Sequence, residues 1–186
     1  MKPRHRDPLR LDVEALAKEA GELDGRWPMR GFERLAESAH AEARPGDADE
    51  VAWKALAELR PVRGGAPEIW LHVTARAEIQ LECQRCLQPV ATALTAERSF
   101  RFVADEATAA EIDADSEDDV LVLTRALNLH ELVEDELILA LPLVPAHDAC
   151  EAYPVEQGDA EETDAPARPN PFQVLASLKK DQSGKE

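Results

Sequence analysis

Two cysteines separated by two residues stand in Leu81-Glu82-Cys83-Gln84-Arg85-Cys86-Leu87-Gln88-Pro89, and the third cysteine of the chain closes His147-Asp148-Ala149-Cys150 with the same gap. Thiolate sulfur and imidazole nitrogen are the donors zinc prefers, and four of them fill its tetrahedral shell. Cys83, Cys86, His147 and Cys150 are therefore the candidate ligands of one structural zinc, provided that the fold returns residues 147–150 to the first pair. A site closed by four protein ligands staples a fold and does not by itself imply catalysis. The competing readings leave the thiols unmetallated or make Cys83 and Cys86 a redox dithiol. Redox dithiols acidify their first thiol at a helix N-terminus, whereas here both flanking segments alternate like strands. His40-Ala41-Glu42, ahead of the thiols, echoes the two halves of a zinc deaminase signature. The echo fails because Glu82 rather than proline precedes Cys83, and because the thiols end a strand. No GxxxxGK[ST] or GxGxxG loop and no Ser, His and Asp set accompanies them.

The elements that must position these ligands are read from changes of period. Asp12 is placed to cap a short helix with Val13, Leu16, Ala17 and Ala20 at helical spacing, ending at Gly21. Leu23, Gly25 and Trp27 alternate briefly, and Phe32, Leu35, Ala36 and Ala39 predict a second helix over about 31–39. From Val51 the period becomes two, with Trp53, Ala55, Ala57 and Leu59 on one side of a half-buried strand. A turn over 61–67 leads into Ile69, Leu71, Val73, Ala75, Ala77, Ile79, Leu81 and Cys83, the longest alternation in the chain. Thr92, Leu94, Ala96, Phe100 and Phe102 return in register except for Arg98, so the thiol pair falls at the tip of a hairpin. Val120 to Leu123 reads as a short strand. Asn128 and Glu131 have capping-box spacing before an amphipathic helix over 128–141 that Pro142 ends and that covers one face of the sheet. The fold class expected is α+β: a twisted antiparallel meander, open or barrel-like, covered by helices.

Charge divides the chain. Up to Arg101 there are 17 acids against 16 lysines and arginines, whereas between Arg101 and Arg168 there are 19 acids and one base, Arg125. A net charge of −17 disfavours phosphate backbones as a general partner. If RNA is touched, the place is the outward face of the first strands, with Lys54, Arg60, Trp70 and Arg76; the plain reading of those residues is a solvated sheet face. The acids in turn read plainly as solubilising charge. Residues 1–150 are expected to form one domain with a solvated acidic loop or disordered insertion over 105–119, followed by an acidic flexible linker over 151–169 and a disordered end over 181–186. Between them, Asn170, Pro171, Phe172, Leu175, Leu178 and Lys179 outline a short tethered helix at 170–180 that would fold on a protein partner. Apolar runs are far too short to cross a membrane, and the start of the chain lacks the pattern of a secretory leader. Reduced thiols in the cytoplasm are expected.

The segments Leu81-Glu82-Cys83-Gln84-Arg85-Cys86, Leu132 to Asp148 (LVEDELILALPLVPAHD) and Asn170 to Lys179 (NPFQVLASLK) stand together in this order, and the chain resembles the YceD family, also called DUF177, over nearly its whole length. The resemblance implies a role in accumulation of 23S ribosomal RNA, through its synthesis, processing or stability, in biogenesis of the large ribosomal subunit. It supplies no catalytic residues. Family genes commonly neighbour that of ribosomal protein bL32, which makes a ribosomal or ribosome-assembly protein the expected partner, with 23S rRNA or its precursor engaged directly or through that protein. Members differ in how many of the thiols they carry, so a metal is read here from the residues themselves. The function expected is a non-enzymatic accessory factor; the rival is a zinc- or thiol-dependent RNA-processing enzyme.

Overall fold

Two fifteen-residue strands, β3 (Glu68–Glu82) and β4 (Pro89–Val103), form the spine of the fold. At about 3.3 Å per residue each runs roughly 50 Å, and they pair antiparallel from Ile69↔Phe102 to Glu82↔Pro89. The structure, a computed structural model, describes residues 6–114 and 119–153. The linker over 151–169 therefore lies almost wholly outside the described residues, and the 170–180 segment and the end of the chain entirely so.

β1 (Glu22–Pro28) pairs with β2 (Glu50–Arg60), β2 with β3, and β4 with β5 (Asp119–Val122), giving the order β1-β2-β3-β4-β5. Every pairing is antiparallel except β4 with β5. The sheet ends at β1 and β5 without closing, which corrects the barrel-like alternative. Parallel neighbours need a crossover connection, and residues 104–118 supply it. Within that crossover the expected acidic loop contains a helix, α3 (Glu106–Asp113), whose N-terminus is capped by Asp105 accepting from the Thr108 amide at 2.9 Å. Only Ala109 of α3 is buried. That is why no apolar stripe announced it, and good helix formers between acids were enough. The brief alternation at Leu23 to Trp27 is the edge strand β1. Its Gly25 lies against the ring of Trp53, where a Cβ would come within 2.9 Å of a ring carbon.

One face of the sheet is covered. α1 (Val13–Lys18), capped by Asp12 as its spacing implies, buries Val13, Leu16 and Ala17. α2 (Glu33–Glu37) is shorter than expected, because Met29–Gly31 forms a separate 3-10 turn before it. α4 (Leu129–Leu139) buries Leu129, Val133 and Leu137 against the same core as Trp53, Ala55, Leu71, Val73 and Phe100. Asn128 caps α4 by accepting from the amides of His130 and Glu131. The one inward residue out of register, Arg98, is explained by α4, because it donates to the buried carboxylate of Glu136 at 3.1 Å. Burial pushes the Glu136 carboxyl above its ordinary range, with Arg98 opposing the shift.

Candidate metal centre

The β3–β4 hairpin ends in Cys83-Gln84-Arg85-Cys86-Leu87-Gln88, folded so that the Cys83 amide donates to the Gln88 carbonyl at 3.0 Å and the Leu87 amide to the Cys83 carbonyl at 2.9 Å. Leu87 takes a left-handed φ of 59°, which turns the chain sharply enough to bring Cys86 back beside Cys83. Cys83 continues the inward series of β3 and is fully buried. Beyond α4 the chain comes back to this tip and is stitched to both of its sides. The Gln84 amide donates to the Pro145 carbonyl at 2.9 Å, and the Tyr153 amide donates to the Arg85 carbonyl at 2.7 Å. These two backbone bonds hold residues 145–153 in place, although about sixty residues separate the cysteine pair from them.

The result is a closed set of four donors. Cys83 Sγ lies 3.8 Å from Cys150 Sγ, Cys86 Sγ lies 3.4 Å from His147 Nδ1, and all four ligand atoms fall within 4.8 Å of one another. A tetrahedron with metal–sulfur bonds of about 2.3 Å has sulfur–sulfur edges near ~3.8 Å and sulfur–nitrogen edges near ~3.5 Å. These two edges thus match those of a tetrahedral site, and the remaining ones stay within 4.8 Å. No disulfide competes, since all three cysteines are free. His147 is oriented for the role: a carbonyl can only accept, so its Nε2–H donates to Pro89 O at 3.0 Å and Nδ1 turns a bare lone pair toward Cys86. The cluster could hold a metal ion.

The electrostatics point the same way. Burial opposes ionisation of Cys83, but the amides of Cys86, Arg85 and His147 and the Cys86 thiol donate to its sulfur and bring it down to about 5. At Cys86 the Gln88 amide favours the thiolate, yet burial and the neighbouring sulfurs of Cys83 and Cys150 outweigh it and push the thiol up. Crowded sulfurs that resist a second negative charge are what a bound cation relieves. Arg85, inside the motif but not singled out by spacing, donates from Nε to Cys150 Sγ at 2.9 Å and from its Nη2 to the His147 carbonyl at 3.4 Å. It clamps the second pair of ligands onto the first. The signal for it was its position between two thiols, where a guanidinium meets concentrated negative charge.

His40 stands beside this centre but outside it. Its Nδ1 accepts from the Glu42 amide, so Nε2–H donates to the Leu87 carbonyl at 3.1 Å, and its own amide donates to Gln80 O. One ring nitrogen braces the hairpin and the other its own loop, which leaves neither for a metal and removes the deaminase echo.

The four residues considered for RNA share the open face of the sheet but do not form one surface. Trp70 is only 4% exposed. The Arg60 guanidinium lies 4.1 Å over its ring, and its indole N–H donates to Glu68. Arg60 is also paired with Glu58, and Lys54 with Glu22. Arg76 has no ion pair among the described residues. The Trp70 ring is thus unavailable for stacking while Arg60 covers it, and two of the three bases are already neutralised within the face.

The protein is thus an α+β sheet whose longest hairpin ends in a four-donor cluster, closed by the loop after its covering helix. The family model for the large ribosomal RNA subunit accumulation protein YceD matches residues 71–179, and the chain belongs to that family. A large ribosomal RNA subunit accumulation protein YceD from Haemophilus influenzae is 40% identical over 114 residues, covering 55% of this chain and 60% of that protein. The chain thus spans less than two thirds of that relative's length. No solved structure matches. No helix among the described residues is long and apolar enough to cross a membrane.

Proposed function

We propose that this chain is a non-enzymatic accessory factor in the synthesis, processing or stability of 23S rRNA, working in the cytoplasm through a protein partner, with one zinc held by Cys83, Cys86, His147 and Cys150. The observation that carries the reading is the closed donor set at the hairpin tip of a chain whose family is named for ribosomal RNA accumulation. Three thiolates and an imidazole suit zinc, and four protein ligands leave no coordination position for a substrate or water. The ion would tie residues 145–153 to the β3–β4 tip.

A protein partner is favoured over rRNA itself. The chain carries a net charge of −17, and Lys54 and Arg60 on the open face are paired with neighbouring carboxylates. A basic ribosomal or assembly protein, bL32 among them, has the complementary sign. The segment Asn170, Pro171, Phe172, Leu175, Leu178 and Lys179 is proposed as one contact. The rival, a thiol-dependent RNA-processing enzyme, draws on the acidified Cys83 thiol, and the full burial of that side chain opposes it.

The test is affinity purification of the full chain from cells, with zinc quantified per chain and the bound protein and RNA identified. About one zinc per chain and association with the large-subunit precursor, lost on deletion of residues 165–186, are expected. Unchanged association after that deletion removes the tail from the mechanism. A Cys83→Ala, Cys86→Ala chain that stays folded yet loses rRNA turnover would establish the enzyme instead.

A further inference from the structure

The three most exposed large apolar side chains of the described residues lie within one short stretch where α4 gives way to the loop that carries His147 and Cys150. Leu139 is 70% exposed, Leu143 100% and Val144 68%. This segment is held at both ends. Upstream, Val133 and Leu137 of α4 are fully buried, and the Leu141 amide closes on the Ile138 carbonyl. Downstream, the Pro145 carbonyl accepts from Gln84 and His147 bonds Pro89. Its exposure is therefore a property of the fold. A fixed apolar ridge has already lost much of the conformational freedom that binding would otherwise cost it.

Charge surrounds this ridge on both sides. Along α4, Glu131, Asp135 and Leu139 are spaced by four and all exposed, so they form one stripe. Asp148 and Glu151 are exposed on the other flank. From Asp119 to Tyr153 there are seven carboxylates and a single base, Arg125. Arg34 and Arg98 from outside that stretch meet Asp135, Glu134 and Glu136. No ion pair reaches Glu131, Asp148 or Glu151 among the described residues. A second copy fits poorly, since a two-fold contact would set this acidic rim against itself.

We infer that the ridge Leu139-Leu143-Val144 and its acidic rim form a docking face for a protein segment that presents apolar side chains flanked by lysine and arginine. This rests on the partner-protein reading above and assigns it a surface within the described fold. Apolar anchors supply affinity at the centre, and carboxylates at the rim select and steer a basic partner.

Two synthetic peptides of equal length and positive charge test it, one with leucines at helical spacing and one with serines in their place, titrated against the full chain. The leucine peptide should bind about tenfold tighter or better. Leu139→Ser with Leu143→Ser should abolish that preference, and Glu131→Lys should weaken both peptides. These positions are exposed, so unchanged zinc content and circular dichroism will show that the fold persists. Equal binding of the two peptides, or a preference that survives the double substitution, overturns the inference. So does a concentration-dependent dimer that Leu143→Ser dissolves, or adhesion to neutral phosphatidylcholine vesicles.

A bacterium lacking its own family member separates this surface from the broader reading. Restoration of 23S rRNA by the natural chain but not by the double-serine chain supports the face. Equal restoration by both overturns the face and leaves the accessory role standing. Failure of the natural chain overturns the role in this reading, while the peptide titration still decides the face.

Discussion

The two ends of the β3–β4 ribbon are covered in opposite ways. At the Trp70 end the cover is local in the sheet. Arg60 comes from the neighbouring strand β2, and Glu68, which receives the indole N–H, is held in turn by Arg101 of β4 at 2.8 Å. At the Cys83 end β2 no longer reaches, since its pairing with β3 stops at Ala52↔Arg76. There the cover comes from far along the chain, as residues 145–153 and His40 bond the hairpin. A ribbon that outruns its neighbouring strands must find another source of burial at its tip. Where no strand is adjacent, a ligand cluster can substitute for a hydrophobic layer, since metal binding energy becomes folding energy.

The contrast predicts graded and separable losses. The largest is expected from Cys83→Ser, which removes one of the four proposed zinc ligands and with it the closure of the tip. With zinc in large excess over its dissociation constant in the natural chain, Tm should fall by about 10 °C. A chelator should lower the natural chain by a similar amount and leave the variant unmoved; equal melting of the two with and without zinc would break the comparison. Next comes Trp70→Ala, which removes a large buried ring and should cost about 3 kcal/mol in urea unfolding. Zinc content should be unchanged and the loss should add to that of Cys83→Ser, because the two ends share no partner. Strong coupling between them would show that the ribbon acts as one unit.

The smallest effect belongs to the middle of the ribbon. Arg98→Ala leaves the Glu136 carboxylate buried without its donor, at a cost of about 2 kcal/mol given that the arginine side chain is half exposed. Replacing both with leucine should recover most of it. Failure to recover would mean that Arg98 acts through something other than Glu136.

Sequence reasoning placed the strand and its thiol tip but not the loop that closes over the tip, and the reason is the range of the contacts. Alternation over Ile69 to Cys83 gives the strand, its inward face and the position of the thiols at a hairpin tip. It also marks Arg98 as the one residue that breaks the apolar register of β4. The spacing of Asn128 and Glu131 gives α4. What alternation cannot supply is where a loop returns. The bonds from Gln84 to Pro145 and from Tyr153 to Arg85 are made by backbone atoms, which carry no side-chain signature. Chemistry of the ligands filled that gap, since Cys83, Cys86, His147 and Cys150 were paired by donor type before any geometry joined them. β1 was only hinted at because Gly25 interrupts its apolar series, and α3 because its burial is slight. Arg85 and Glu134 act across long separations, and their types alone say nothing of their partners. Glu134 accepts from the amides of Arg34 and Leu35 as well as from the Arg34 guanidinium, and so caps α2 from a distance of a hundred residues.

The same separations set an order of events during synthesis. Leu11 forms a bridge with Leu127, Arg34 is held by Glu134, and Cys83 closes with Cys150. These three early positions thus have partners between residues 127 and 150. A nascent chain that has made the whole ribbon but not yet α4 lacks the cover that α4 gives to β3 and β4. Folds built on such distant pairings close slowly, and their unpaired strands invite association in the interval. The acidic stretch between Arg101 and Arg168 is translated across that interval, so the incomplete sheet gains mutual repulsion before it gains its cover.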